Sequence, residues 1–169
     1  MKKIKQLSKI LFLGLAFTVA SCSSDSEGGS VSAGEGTISA KVDGTTITSI
    51  PQATFAYSTS VGLQITGTNN SAKNLAIQIL TFDGVGKYNM GGNNSLAIGT
   101  YTEVDLNDPQ NVNNVWMAPY NENMVDGFVD VTEVTATHVK GTFSFKAQNQ
   151  TGTVKDITNG SFNIKITAM

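Results

Sequence analysis

The sequence predicts a single all-β domain, an antiparallel β-sandwich, with a closed barrel as the alternative. Apolar and polar residues alternate with a period of two along most of the chain, as in strands that bury one face. Short runs rich in Gly, Asn and Asp separate these segments at intervals of roughly 8–12 residues. After the first 35 residues no stretch keeps a 3.6-residue period with helix caps, so no helix is predicted.

The predicted strands differ in how they are buried. The alternating apolar positions are, in chain order, Ile38, Ala40 and Val42; Phe55 and Tyr57; Leu63 and Ile65; Val129 and Val131; Val139, Gly141, Phe143, Phe145 and Ala147; and Phe162, Ile164, Ile166 and Ala168. Asp43-Gly44 predicts a tight hairpin after the first strand. The run 75–82 is apolar on both faces except at Gln78 and Thr81, which favours a central strand. The clean alternation of the last two strands is typical of sheets with one apolar face.

The first 22 residues have the pattern of a lipoprotein export signal. Four lysines precede the apolar stretch 10–20, which is too short to span a bilayer as a helix of about 20 residues. Ala20 and Ser21 are small residues placed directly before Cys22, as in the bacterial lipobox, so residues 1–21 are interpreted as a cleaved signal peptide. An ordinary secretory signal followed by a chance cysteine is the alternative.

By resemblance to the lipobox, Cys22 is expected to be lipidated and to anchor the protein in a membrane. Two or three acyl chains anchor firmly, since each buried methylene contributes about 0.8 kcal/mol. The expected location is the outer membrane of a bacterial cell envelope, facing either the periplasm or the exterior. Residues 22–35 are rich in Ser, Gly and acidic side chains and are predicted to form a flexible tether, which leaves 36–169 for the β-domain.

The charge of the chain argues against a nucleic-acid partner. Cleavage removes four of the eleven lysines and none of the 13 acidic residues, so the formal charge changes from −2 to −6. Phosphate binding needs a basic patch, which an acidic chain without arginine does not provide. Cys22 is the sole cysteine, and an internal disulfide is therefore excluded.

Four short segments resemble a family of uncharacterised Bacteroidetes lipoproteins. They are residues 40–44 (AKVDG), 99–101 (GTY), 141–145 (GTFSF) and 157–162 (ITNGSF). The resemblance covers roughly residues 36–169 and implies a lipobox, a tether and one β-rich domain of unknown function. The family has no established activity, so the resemblance implies no catalytic residue.

The sequence offers few residues for catalysis. His138, the sole histidine, lies on the polar side of its predicted strand, and a triad would need a nucleophile placed against it. Zinc sites use several Cys or His ligands, so no metal site and no cofactor are predicted. The oxygen-rich stretch 105–113 has the ligand types of calcium but not the EF-hand spacing. The protein is expected not to be an enzyme, and a glycoside-acting enzyme with paired carboxylates is a weaker alternative.

The candidate binding residues are Trp116, Tyr120 and Asn121, in the Asn-rich connection 105–126. Aromatic rings stack on sugars or apolar side chains while neighbouring amides donate and accept hydrogen bonds. The main prediction is a membrane-anchored binding module for a glycan or protein ligand. If Trp116 instead closes one end of the core, the chain is better explained as a structural accessory protein of the cell surface.

Overall fold

The computed structural model describes residues 32–168 except 61, 110 and 122. The predicted signal peptide 1–21, Cys22 and most of the predicted tether 22–35 lie outside the described residues. The described chain contains two short 3₁₀ turns, Pro51–Ala53 and Val112–Asn114. Its strands are β1 (Thr37–Val42), β2 (Thr45–Thr48), β3 (Thr54–Thr59), β4 (Gly62–Thr68), β5 (Lys73–Ile79), β6 (Gly86–Gly91), β7 (Ala97–Glu103), β8 (Val115–Ala118), β9 (Val125–Val134), β10 (His138–Gln148) and β11 (Val154–Ala168).

The all-β prediction is confirmed, and the strands belong to one mixed sheet. Their order is β2-β1-β11-β3-β4-β5-β7-β8-β10-β9-β6. A further pairing joins β10 to β11. The strands from β11 through β3, β4, β5, β7 and β8 to β10 therefore form a closed path of neighbouring strands. The β11–β3 pairing is parallel, with Ile166 opposite Ala56, and β8 meets β10 at one residue pair, Met117 and Gln148. The antiparallel sandwich expected from the sequence therefore takes the form of a single sheet that folds back on itself.

The core lies inside this path because the strands turn their apolar residues inward. Val139, Phe143 and Phe145 of β10 are buried, as are Phe162 and Ile164 of β11. The Phe143 ring lies 6.0 Å from the Phe145 ring and 6.4 Å from the Phe162 ring. Such aromatic pairs add about 0.5–1.5 kcal/mol each beyond the burial of their surface. The inward face predicted for β10 is confirmed.

The structure differs from the sequence pattern at β6 and at the end of β5, among other places. The alternation does not predict β6, because only Tyr88 and Met90 point inward between glycines at both ends of the strand. The run 75–82 predicts a longer strand than β5. β5 ends at Ile79, and one further bond, from the Leu80 N–H to the Leu96 carbonyl at 2.8 Å, continues its register with β7.

The described chain begins on the outer side of β11. The Ala33 N–H donates to the Ser161 hydroxyl at 2.7 Å, and the Gly36 N–H donates to the Asn163 carbonyl at 2.7 Å. The start of β10 lies close by, since His138 pairs with Lys165 in the β10–β11 ladder. Any segment that precedes residue 33 therefore joins the domain beside Ser161, which pairs with Thr142 of β10.

Candidate functional site

A groove on the outer face of the sheet brings together two of the three predicted binding residues. Its volume is about 550 Å³. Its floor is the outer face of β6, β9, β10 and β11, which are neighbours in the sheet, and its wall is the connection from β8 to β9. We name it the Tyr120 groove, and its lining includes Lys87, Asn89, Tyr120, Asn121, Phe128 and Ser144.

The floor of the groove is set by strand register. Asn89 of β6 pairs with Phe128 of β9, and Phe128 in turn pairs with Ser144 of β10. Paired residues on neighbouring strands point to the same face of a sheet. Met90 and Val129, which follow Asn89 and Phe128 in sequence, are buried in the core. An amide, an aromatic ring and a hydroxyl therefore lie side by side on the outer surface.

The wall of the groove is held by one carboxylate. Asp126 Oδ2 accepts hydrogen bonds from the backbone N–H groups of Tyr120, at 2.8 Å, and Asn121, at 2.9 Å. The Asn121 side-chain oxygen accepts a further bond from the Asn123 N–H at 3.2 Å. Hydrogen bonds to a charged acceptor contribute about twice as much as neutral ones. These bonds fix the backbone next to Tyr120, whose side chain is 38% exposed.

Gly91 lets this wall lie directly on the end of β6. Its φ is +89°, a conformation that side chains other than glycine rarely adopt. A Cβ atom at this position would lie 2.2 Å from the Met124 carbonyl oxygen and 3.2 Å from the Pro119 Cβ. The close approach of two backbone segments thus depends on glycine.

The groove contains one lysine, Lys87, that forms no ion pair within 4.0 Å among the described residues, although Asp130 lies opposite it on β9. The Lys87 ammonium lies 3.9 Å from the centroid of the Phe128 ring, within range of a cation–π interaction. Lys146 pairs with Asp156 at 3.5 Å, but no carboxylate of the described residues lies within 4.0 Å of Lys87. The Phe128 ring therefore positions a cation that can still pair with an anionic ligand.

The structure places Trp116, the third predicted residue, away from the groove. Trp116 lies on β8, is 6% exposed and belongs to the core. Its ring is 5.8 Å from the Tyr101 ring, and the Lys155 ammonium lies 4.8 Å from its centroid. The indole Nε1 is buried and has no hydrogen-bond partner among the described residues. Tyr120 and Asn121 thus share one surface, whereas Trp116 packs inside the domain.

A cluster of charged side chains borders Trp116 on β7 and β11. The Tyr101 hydroxyl donates to Glu103 Oε1 at 2.7 Å. The Lys155 ammonium lies 3.7 Å from Glu103 and 3.2 Å from Asp43. Each charge in this cluster has an opposite partner, so the cluster links the β1–β2 turn to β7 and β11 rather than offering a free charge.

The pKa values in this cluster move in the directions that its contacts require. Burial acts to raise the pKa of Glu103, but the Tyr101 hydrogen bond and the nearby lysines outweigh it, and the pKa is lowered. The Asp156 N–H is the main reason that the pKa of Asp43 is lowered, with Lys155 adding to the effect. Burial first, and then the bond to Glu103, raises the pKa of Tyr101 well above its ordinary value.

Sequence reasoning did not identify Lys87, Asn89 or Phe128 as groove residues. A signal for Phe128 was available, because this aromatic residue has the opposite parity to the buried Val129 and Val131 and must point outward. No local signal marks Lys87 and Asn89. They reach the groove because β6 pairs with β9, and β7 and β8 lie between these two strands in the sequence.

In the described part of the chain, no group of three or more His, Cys, Asp or Glu side chains is arranged to hold a metal ion. The helical segments of that part include none that is long and apolar enough to cross a membrane. The His138 imidazole lies 3.6 Å from the Glu35 carboxylate at the end of β10 where the chain enters.

The fold and the groove define an all-β domain that carries a concave, polar and aromatic-bearing surface. The chain belongs to the family described as "Domain of unknown function (DUF6252)", whose model matches residues 34–164. No curated protein and no solved structure matches the chain. The match agrees with the resemblance to an uncharacterised family, and it covers nearly all the described strands.

Proposed function

We propose that the protein is a lipid-anchored, non-catalytic binding module of the bacterial cell envelope that binds a saccharide in the Tyr120 groove. The observation that carries the proposal is the arrangement of the exposed Tyr120 ring, the Asn89 amide and the Lys87 ammonium around one concave surface. A sugar ring packs its C–H face on an aromatic side chain while amides and hydroxyls bind its hydroxyl groups. The volume of about 550 Å³ is within the usual range of ligand sites.

The charge of Lys87 favours a saccharide that carries a carboxylate. Lys87 is held against Phe128 without a carboxylate partner among the described residues, so pairing with a ligand does not require breaking an ion pair. Charge-assisted hydrogen bonds are stronger than neutral ones. Uronic-acid saccharides are therefore the expected ligands.

The proposed anchor would enter the domain beside the groove. The Ala33 N–H donates to the Ser161 hydroxyl, and Ser161 pairs with Thr142 of β10. Ser144, which lines the groove, lies two residues farther along that strand, about 7 Å away. Lipidation of Cys22 in the outer membrane would thus tether the domain on the outer face that also carries the groove.

The test is binding of uronic-acid oligosaccharides to the purified full-length protein in a detergent without a sugar headgroup. Titration calorimetry should show binding that weakens as salt is raised, because it includes an exposed ion pair. We expect Tyr120→Ala to weaken binding about tenfold by removing the stacking surface. Lys87→Gln should reduce the preference for uronic acids over neutral sugars.

Matched variants separate binding from folding. Lys165→Gln removes an exposed lysine outside the groove and should leave binding unchanged, as should Leu106→Ala, which truncates a side chain that is 82% exposed. If no uronic-acid saccharide binds, or if Tyr120→Ala and Lys87→Gln bind like the wild type, the proposed ligand is wrong.

The second candidate is a structural accessory protein of the cell surface without a small ligand. The buried position of Trp116 favours it, because the strongest aromatic candidate packs in the core instead of facing a ligand. This candidate predicts that no saccharide binds the groove. Deletion of the protein would then change envelope integrity, as measured by detergent sensitivity of the cells.

Glycoside hydrolysis is an alternative because the groove holds two carboxylates. It is the weaker one because both carboxylates already have partners: Asp126 accepts hydrogen bonds from two backbone N–H groups, and Asp156 pairs with Lys146. A binding module should release no reducing ends from any saccharide that it binds. Hydrolysis that Asp156→Asn abolishes would establish an enzyme instead.

A further inference from the structure

We infer a second binding surface, for an uncharged polysaccharide, on the outer face of β3, β4 and β5. We name it the β3 aromatic face, and it is defined by Phe55, Tyr57, Gln64 and Gln78. A concave region of about 340 Å³ adjoins it. The β3 aromatic face shares no lining residue with the Tyr120 groove, so the inference does not depend on the function proposed for that groove.

The two aromatic side chains form an ordered pair. Phe55 and Tyr57 are two residues apart on β3 and therefore stand next to each other on one face of the sheet. Their ring centroids are 6.2 Å apart and their planes differ by 17°. Phe55 is 46% exposed, so the pair presents apolar ring surface to the solvent. An exposed apolar patch rimmed by polar side chains is characteristic of a binding surface.

Two glutamine amides continue this surface across the sheet. Tyr57 pairs with Gln64 of β4, and Gln64 pairs with Gln78 of β5, so the three side chains form one row. Both glutamines are exposed. An amide offers two N–H donors and a carbonyl acceptor, which suits the hydroxyl groups of a sugar.

The absence of charge selects the class of ligand. Phe55 pairs with Thr66, and Thr66 pairs with Ala76, so the row beside the glutamines is also uncharged. The residues lining the adjacent concave region likewise include no charged side chain. The four residues that define the face include no lysine or arginine, the groups that attract anionic lipid headgroups or acidic sugars. Lys165 of β11 lies at the edge of the face, because the next residue, Ile166, pairs with Ala56. Rings beside free amides on a neutral surface fit a neutral sugar chain.

The test is affinity electrophoresis of the full-length protein through gels that contain a soluble glucan, mannan or xylan. At least one polymer should retard the wild type, and Phe55→Ala/Tyr57→Ala should weaken that binding about tenfold. Binding should vary little between about 0.05 and about 0.5 M salt, because no ion pair forms. Gln64→Ala/Gln78→Ala should weaken binding without removing an aromatic ring.

Two control variants make the outcomes decisive. Phe55→Tyr keeps both rings and should bind like the wild type, and Tyr120→Ala should also bind the neutral polymer normally. Failure of all three polymers to retard the protein would overturn the inference. So would wild-type binding by Phe55→Ala/Tyr57→Ala. Self-association that this double variant abolishes would overturn it too, because a second copy of the chain would then cover the face.

Discussion

Replacement of Trp116 tests whether this residue stabilises the core, as its burial indicates, or binds a ligand, as the sequence suggested. Trp116→Ala removes a ring that is 6% exposed and contacts Tyr101. Truncating a buried aromatic side chain to alanine costs about 3–5 kcal/mol. The contact of its ring with Lys155, whose side chain is only 19% exposed, contributes about 1–2 kcal/mol of this cost. We expect the free energy of unfolding to fall by about 3–5 kcal/mol.

Trp116→Phe is the sharper variant because it keeps a ring but removes the indole N–H. A buried polar group without a partner costs about 1–3 kcal/mol, and phenylalanine has no such group. This gain offsets part of the lost packing, so we expect a net loss of only about 1–2 kcal/mol. Urea denaturation should show a lower midpoint with an unchanged m-value, because the exposed surface on unfolding barely changes.

The same variant tests binding. Trp116→Phe should keep wild-type affinity for any ligand of the Tyr120 groove, since Trp116 does not line that groove. The reasoning is refuted if Trp116→Ala costs less than about 1 kcal/mol, well below the usual loss for a core aromatic. A stable Trp116→Phe variant that loses ligand binding would instead support the original assignment of Trp116 to the site.

Other parts of the molecule give three further predictions. Gly91→Ala should destabilise the domain by about 1–3 kcal/mol more than Gly84→Ala in urea denaturation, because both have positive φ but only Gly91 would place its Cβ against the Met124 carbonyl. The lowered pKa of Glu103 means that its stabilising effect is present above its ordinary pKa of about 4.3 and is lost as pH falls through the lower folded value. Glu103→Gln should therefore reduce the loss of stability between neutral and acidic pH, and an unchanged pH profile would contradict this. Cys22→Ala should move the protein from the membrane to the soluble fraction of cells, and a variant that stays in the membrane would refute the anchor.

Local sequence patterns predicted the parts of the fold that depend on one strand at a time. The alternation in β10 predicted which side faces the core, because a strand that buries one face must place apolar residues at every second position. The Asp43-Gly44 hairpin is present, with both residues at positive φ as a tight turn of this type requires. Neither observation needs any knowledge of which strands become neighbours.

Pairings between distant segments could not be predicted in this way. The parallel pairing of β11 with β3, and the pairing of β6 with β9, follow from how the whole sheet closes, and alternation does not specify a partner strand. Trp116 shows the consequence for function. Its sequence neighbourhood resembles a binding loop, but the register of β8 with β7 places its ring against Tyr101 in the core.

The sequence by itself determined an all-β chain, the inward face of its last strands and the residue types available for binding, since these depend on short-range periodicity and composition. The tertiary structure alone decided which of those residues share a surface. Tyr120 and Asn121 line the same groove as Lys87 and Phe128 because strands far apart in sequence pair in one sheet. Trp116 lies in the core instead, because burying a large aromatic ring stabilises the fold.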